Sequence, residues 1–353
     1  MSAVETLQNI ASVLLPTVVR GVGANPTPEL QNSGQIKTRR GSIRPVQGSR
    51  QALESQREAI QGDSMTVSTR IRPHVMGMIL MGSVGLVFAA HDTLSKTLIM
   101  SLPVIFVAWV RYLIHSCIIS TVVLAGKQRA FPKTQRPWLH LCRALCLLAD
   151  SLTFMYGLTH VPLAESTALV FLAPAFVTIL SPLVFGTRIS RSQWLPVIIG
   201  FVGVIVIINP QGQGFTPWML FPLATAFFFA LYQILTQLAG EQDSASTSSF
   251  YVGVFSTLIL TVLMPFYWAE ASAVQWAQLS VLGGLGLAAH FLISKSYSYA
   301  SSAVLAPLGY LQIVFATLFG IVVFADYPPA SSIIGIALVL LSGLLVYGRS
   351  SRT

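Results

Sequence analysis

The chain has 353 residues, 54% of them hydrophobic and 9% charged, with a mean hydropathy of +0.70. About a quarter of an average soluble domain is charged, so the composition excludes an ordinary soluble fold and indicates a polytopic membrane protein. The net charge of +9 would suit nucleic acid only if the basic residues shared a solvated face; they sit instead in an N-terminal tail and between apolar runs, so no nucleic-acid partner is expected.

Residues 1–72 differ from the rest. From Gly21 to Arg72 the chain is rich in Gln, Ser, Gly, Pro and Arg, too polar to bury a core, and reads as a disordered basic tail. Its first twenty residues place Val4, Leu7, Ile10, Leu14, Leu15 and Val18 at helical spacing, which suits a short surface helix and makes a poor signal peptide. A functional start at Met65 is equally compatible. From Pro73 onward ten apolar segments follow, at 74–94, 103–125, 138–159, 162–184, 194–208, 217–238, 247–267, 275–296, 301–324 and 331–347. The longer ones match the roughly 20 residues a helix needs to cross a bilayer. The fifth is the shortest, and Asn209-Pro210 closes it. Spans 3 and 4 are joined by the short turn His160-Val161-Pro162.

With the tail in the cytoplasm, 18 of the 21 Lys and Arg residues fall on the cytoplasmic side, Lys96 alone falls outside, and Arg111 and Arg143 lie within spans. That asymmetry predicts cytoplasmic N- and C-termini. An internal repeat is also visible. Shifting Ala164–Gly186 by 139 positions lays it on Ala303–Ala325 with seven identities in 23, and Ile198-Ile199-Gly200 answers Ile333-Ile334-Gly335. Each half then holds five spans. Five is odd, so the second half enters the membrane from the opposite side, an inverted repeat of the kind many secondary transporters share.

Several stretches carry a resemblance: AAHDTLSK in span 1, Val110–Tyr112 in span 2, CRALCLLADSLTFMYGLTHVPLAESTALVFLAPAFVTIL across spans 3 and 4, and GFVGVIVIINP in span 5. ALYQILTQLA, SSAVLAPLGYLQIVFATLFGIVVFADYP and IIGIALVLLSGLLVY follow in the second half. Over about residues 75–347 the chain resembles the drug/metabolite transporter superfamily, in its ten-span EamA-domain branch. The resemblance implies an all-α membrane protein with EamA-like five-helix repeats at 73–210 and 217–347. It implies a carrier of amino acids, nucleotide-like metabolites, S-adenosylmethionine, flavins or amphipathic drugs that works without ATP hydrolysis, and an inner-membrane location. The chain departs at Thr187-Arg188, where many relatives carry a glutamate; the counterpart Asp326 is present and reads as an end-of-span feature.

Depth along the helices tests which polar residues can meet. Arg111 lies about 12 Å and Asp150 about 15 Å below the outer ends of spans 2 and 3, at a rise of about 1.5 Å per residue. Two readings follow: a structural ion pair, or a cationic site whose anionic substrate group competes with the aspartate. Asp150 is the candidate for proton coupling, because a carboxyl that alternates between an arginine and apolar surroundings alternates between charged and neutral forms. Arg143, nearer the cytoplasmic end, reads as a headgroup-snorkelling anchor. Asp92 and Lys96 are four apart on one face of span 1 and read as a solvated i,i+4 pair, with Glu165 a further candidate at the external mouth. Tyr310 and Gln312 in span 9, and Tyr232 and Gln233 in span 6, read as helix glue or pocket lining. Trp109 and Tyr112, with Tyr156, Phe171 and Phe227 to Phe229, suit a flat ring and favour a riboflavin-like or other aromatic metabolite over a sugar. His290 reads as a lone histidine with a satisfied interior hydrogen bond. Pro174, Pro182 and Pro307 can bend their helices.

The six histidines are scattered, Cys117, Cys142 and Cys146 lie in apolar segments, and neither metal-ligand nor nucleophile–base spacing occurs. The expectation is therefore a secondary transporter rather than a membrane-embedded enzyme, with no cofactor and no metal. A channel would show rings of equivalent polar residues. The expected partners are a small-molecule substrate, the lipid bilayer, and a proton or other coupling ion, in a monomer or homodimer.

Overall fold

The computed structural model describes residues 73–125, 132–186, 191–208, 216–240, 243–300, 305 and 308–350. The assignments made on the tail at 1–72, on Thr187-Arg188, on Asn209-Pro210 and on Pro307 lie outside the described residues. Every described element is helical. In chain order they are α1 (Pro73–Ile99), α2 (Val104–Ala125), α3 (Pro137–Leu158), α4 (Leu163–Val170), α5 (Ala173–Phe185) and α6 (Arg191–Ile208). A 3-10 turn (Pro217–Met219) then leads into α7 (Leu220–Gly240), α8 (Ala245–Tyr267), α9 (Ala273–Tyr297), α10 (Leu311–Phe324) and α11 (Ala330–Ser350). Apolar runs of this length offer the backbone no water, so each segment must close its own hydrogen bonds. Their ends are capped where polar residues occur. Ser244 Oγ accepts from Thr247 N at the start of α8, and Ser272 with Gln275 forms a reciprocal capping box at the start of α9.

Among the described residues, seven helices are long and apolar enough to cross a membrane, and three shorter apolar helices accompany them. Large apolar side chains point outward, with Val262, Phe266, Phe291 and Val322 all at least 68% exposed. An outer surface of that kind belongs in lipid rather than water. The chain is an all-helical, multi-pass membrane protein.

The closest-packed helix pairs are α6 with α11, α3 with α7, α1 with α9, and α2 with α8. Further pairs are α3 with α8, α2 with α9, α1 with α10, and α5 with α7. Exchanging α1 for α7, α2 for α8, α3 for α9, α5 for α10 and α6 for α11 returns the same set. Near the start of α2 and α9, Phe106, Leu279 and Leu282 are fully buried, with Trp268 and Trp276 edge-on to the Phe106 ring. Where α6 crosses α11 the backbones touch. A Cβ on Gly335 would sit 2.6 Å from the Gly203 carbonyl oxygen, so only glycine fits.

The fourth span, expected as one helix over 162–184, is two. α4 stops at Val170 and α5 starts at Ala173, with Phe171 and Leu172 between them. Pro174 has no N–H to donate to the Val170 carbonyl, so the α-helical ladder loses a rung there. The chain tightens around the gap, Leu172 N donating to Leu169 O at 3.1 Å and Ala175 N to Leu172 O at 2.9 Å. Pro182 sits inside α5 without breaking it. Tyr310, the residue that the 139-position shift lays on Phe171, is likewise a turn, between helical Gly309 and the start of α10.

The two repeat segments also end alike. Gly186 after α5 and Ala325 after α10 adopt left-handed conformations, φ 65° and 55°, and are the only such residues described. After α10 the Asp326 N–H closes on Gly320 O at 3.0 Å and the Ala325 N–H on Ile321 O at 3.1 Å, the pattern that commonly ends a helix with glycine. Alanine in this conformation is strained, so Ala325→Gly is expected to stabilise the folded protein by about 1 kcal/mol, read as a higher melting temperature in detergent.

Candidate functional site

A cavity of about 460 Å³ lies among the helices, walled by parts of α1, α2, α3, α4, α5, α7, α8 and α9 and by the start of α10. Its charged lining residues are Asp92, Arg111 and Asp150. The α2–α3 wall is fixed by Tyr112, whose hydroxyl donates to the Leu147 carbonyl at 3.1 Å and lies 2.9 Å from Ser151 Oγ. That clamp sets Arg111 and Asp150 on adjoining surfaces. The Arg111 guanidinium lies over the Tyr112 ring, 4.8 Å from its centre. Across the cavity Asp92 is held on both oxygens. His91 Nδ1 donates to Oδ1 at 3.0 Å and Gln312 Nε2 to Oδ2 at 3.0 Å, tying α1 to α10. Aromatic surface completes the walls, including Phe154, Phe229 and the tilted Phe171–Tyr310 pair, whose ring centres are 5.0 Å apart. Tyr310 reaches past α10 onto Gly343 of α11, where any larger side chain would overlap its hydroxyl.

Of the residues singled out from sequence, Arg111, Tyr112, Asp150, Gln233, Tyr310, Gln312 and Asp92 meet in this cavity. Phe171, Pro174, Phe229 and His290 line it as well, and the others lie elsewhere. Tyr232 faces Arg143 instead, whose guanidinium carbon is 5.4 Å from the ring centre. Trp109 donates its indole N–H to Thr261 Oγ1 at 2.9 Å, joining α2 to α8. The expected Asp92–Lys96 pair does not form, because α10 and the residues just after it supply better partners to both. Lys96 Nζ pairs with Asp326 Oδ2 at 2.8 Å and lies over the Phe324 ring. Asp326 thus serves as an end-of-span contact. Glu165 is only 3% exposed and hydrogen-bonds Ser332 of α11 rather than facing a mouth.

Three sequence-based expectations are corrected. Arg111 and Asp150 share the cavity wall without closing to an ion pair; among the described residues Lys96 pairs with Asp326, while His91 and His140 hydrogen-bond Asp92 and Asp243. Arg143 does not snorkel. It is 1% exposed, donates Nε–H to Thr236 Oγ1 at 3.1 Å and an Nη1–H to His140 Nδ1 at 3.0 Å, because polar partners on α7 spare it the reach to the headgroups. His290 lines the cavity with its ring edge-on to Phe88, the centres 6.0 Å apart, rather than sitting in a satisfied interior hydrogen bond. Sequence reasoning passed over His91 and His115, which line the same cavity. Their separation in sequence hid their convergence. The usable signal was that His91 precedes a buried aspartate and His115 follows Arg111 by one helical turn.

A lipid-type outer surface around a cavity furnished with charges, amides and rings suits a multi-pass membrane protein that takes up a small organic solute. The model of the EamA-like transporter family matches residues 75–209 and 216–348, and the chain belongs to that family. It is 27% identical over 256 residues to the S-adenosylmethionine uptake transporter of Rickettsia prowazekii (strain Madrid E), covering 72% of this chain and 87% of the relative. It is 26% identical over 272 residues to the riboflavin transporter of Vibrio cholerae serotype O1, covering 76% of this chain and 91% of that one. A solved crystal structure shares the fold, with a TM-score of 0.56 at 15% identity over 78% of this chain and 98% of the other.

Proposed function

We propose that this chain is a secondary carrier that binds a flat-ringed amphipathic metabolite in the central cavity and passes it across the cell inner membrane by alternating access. Its ten spans form inverted five-helix halves at 73–210 and 217–347, with both termini cytoplasmic. The observation that carries the reading is the cavity itself, roughly 460 Å³ with aromatic walls and three charged side chains. Pockets of a few hundred cubic ångströms hold single metabolites. The exchange symmetry of the helix pairs and the matched left-handed ends at Gly186 and Ala325 support the inverted halves. Named relatives that carry S-adenosylmethionine or riboflavin support a heteroaromatic solute.

The test is uptake by proteoliposomes. Purified protein is expected to give saturable accumulation of labelled S-adenosylmethionine or riboflavin, abolished by an excess of the same unlabelled solute. Accumulation of both at the rate of protein-free liposomes would sink the proposal.

A further inference from the structure

We infer that the cavity selects a zwitterion, an α-amino-acid-type head joined to a flat heteroaromatic ring, with the carboxylate on Arg111, the cationic centre at Asp150 and the ring against Phe171 and Tyr310. The inference rests on the transporter reading and names its substrate class.

Three charged side chains lie on the cavity wall. Asp92 is already engaged on both oxygens by His91 and Gln312. Arg111 and Asp150 are not. Neither is in an ion pair, and among the described residues the Asp150 carboxyl takes part in no hydrogen bond, Thr153 and Thr225 using its main-chain carbonyl instead. Arg111 lies over the Tyr112 ring and makes no ion-pair contact with a carboxylate among the described residues. Charges held beside apolar walls are costly unless something pairs with them. The simplest internal remedy, closing Arg111 onto Asp150, is not taken: the two side chains share the cavity wall without an ion-pair contact.

A ligand removes the cost only by bringing both signs. An anion satisfies Arg111 and leaves Asp150; a cation does the reverse; a neutral flavin satisfies neither. A zwitterion presents its carboxylate to the guanidinium, which matches it in two-point geometry, and its ammonium or a sulfonium to the aspartate. The remaining wall is apolar and aromatic, and Phe171 and Tyr310, packed against each other at 43°, offer a ring face on which a flat base can stack. A site built this way rejects an uncharged analogue strongly, because binding it would bury both charges unpaired.

The experiment measures binding of tritiated S-adenosylmethionine to the full-length protein in detergent. The competitors are S-adenosylhomocysteine, which keeps the amino-acid head, methylthioadenosine, which keeps the ring and loses that head, and riboflavin. S-adenosylhomocysteine is expected to compete within about tenfold of S-adenosylmethionine, and methylthioadenosine and riboflavin at least about 100-fold more weakly. Arg111→Gln and Asp150→Asn are each expected to weaken both zwitterions by about 50-fold while leaving methylthioadenosine within about threefold. Arg111→Lys should recover part of the loss. The wild-type competitor series needs no variant, so it decides the question even if a variant misfolds. Methylthioadenosine binding as well as the zwitterions, or folded variants that bind S-adenosylmethionine like wild type, would overturn the inference. Riboflavin binding alone would overturn it too and leave the transporter reading intact. Failure of every probe to bind would also overturn it, and the transporter reading would then stand or fall on the proteoliposome assay.

Discussion

Asp243→Ala is expected to cost about 3 kcal/mol of stability, the largest loss from any single polar change in the bundle, because it strands a buried cation. Arg143, at 1% exposure, donates to His140 Nδ1, so that nitrogen carries no proton and the ring's N–H is on Nε2. Nε2 in turn lies 3.0 Å from Asp243 Oδ2, which also accepts from Thr134 Oγ1 at 2.9 Å. The histidine is stacked on Tyr251, ring centres 5.2 Å apart, and the Tyr251 hydroxyl donates to the Pro132 carbonyl. One carboxylate therefore orients a histidine, balances an arginine one turn along α3, and ties α3 to the connection between α7 and α8. Asp243→Asn keeps an acceptor and loses the charge, so about half the cost is expected. The measurement is unfolding by SDS of the detergent-solubilised protein. Losses below about 1 kcal/mol for both variants would show that Arg143 finds its compensation elsewhere.

The second large effect lies in packing. Gly335→Leu is expected to separate α6 from α11 and leave little folded protein, because two of the three nearest groups in the way are backbone. A Cβ at 335 would meet Ile207 Cγ1 at 2.5 Å, Gly203 O at 2.6 Å and Ile207 N at 2.8 Å. Helices in lipid have no hydrophobic force to press them together and rely on close contact, so small residues at the crossing carry the association. Overpacking costs about 1–3 kcal/mol where side chains can shift and more where they cannot. Gly335→Ala should show a milder loss in the same direction. The checks are the monodisperse fraction on gel filtration and cross-linking between cysteines placed on α6 and α11. Wild-type values for the leucine variant would show that the crossing is looser than described.

Much of the architecture was legible in the sequence because lipid leaves few choices. Long apolar runs must be helices, so seven of the ten expected segments coincide with described helices of membrane length, and the family resemblance was visible in stretches such as VRY at Val110–Tyr112. The site was half legible. Arg111, Asp150, Tyr310 and Gln312 stood out because polar groups at mid-depth need a reason to be there. Their partners were not readable, since depth along a helix says nothing of rotation about its axis. Lys96 and Asp92 were matched to each other at i,i+4 when both turn toward α10, and Arg143 was assigned to the headgroups when α7 offered Thr236. The convergence of His91, His115 and His290 required the fold, because their helices come from both halves of the chain.

The gap at Phe171 and Leu172 has a mechanical consequence. An unbroken helix resists bending because flexing stretches hydrogen bonds along one side, but at Pro174 the bond that would resist is already absent. α4 packs mainly on α10 and also on α7 and α11, while α5 packs on α7 and α6, so the rods on either side of the gap share α7 and differ in their other neighbours. The span is a linkage with a soft pivot, and Phe171, sitting on that pivot beside Tyr310, changes its angle whenever the two rods turn against each other.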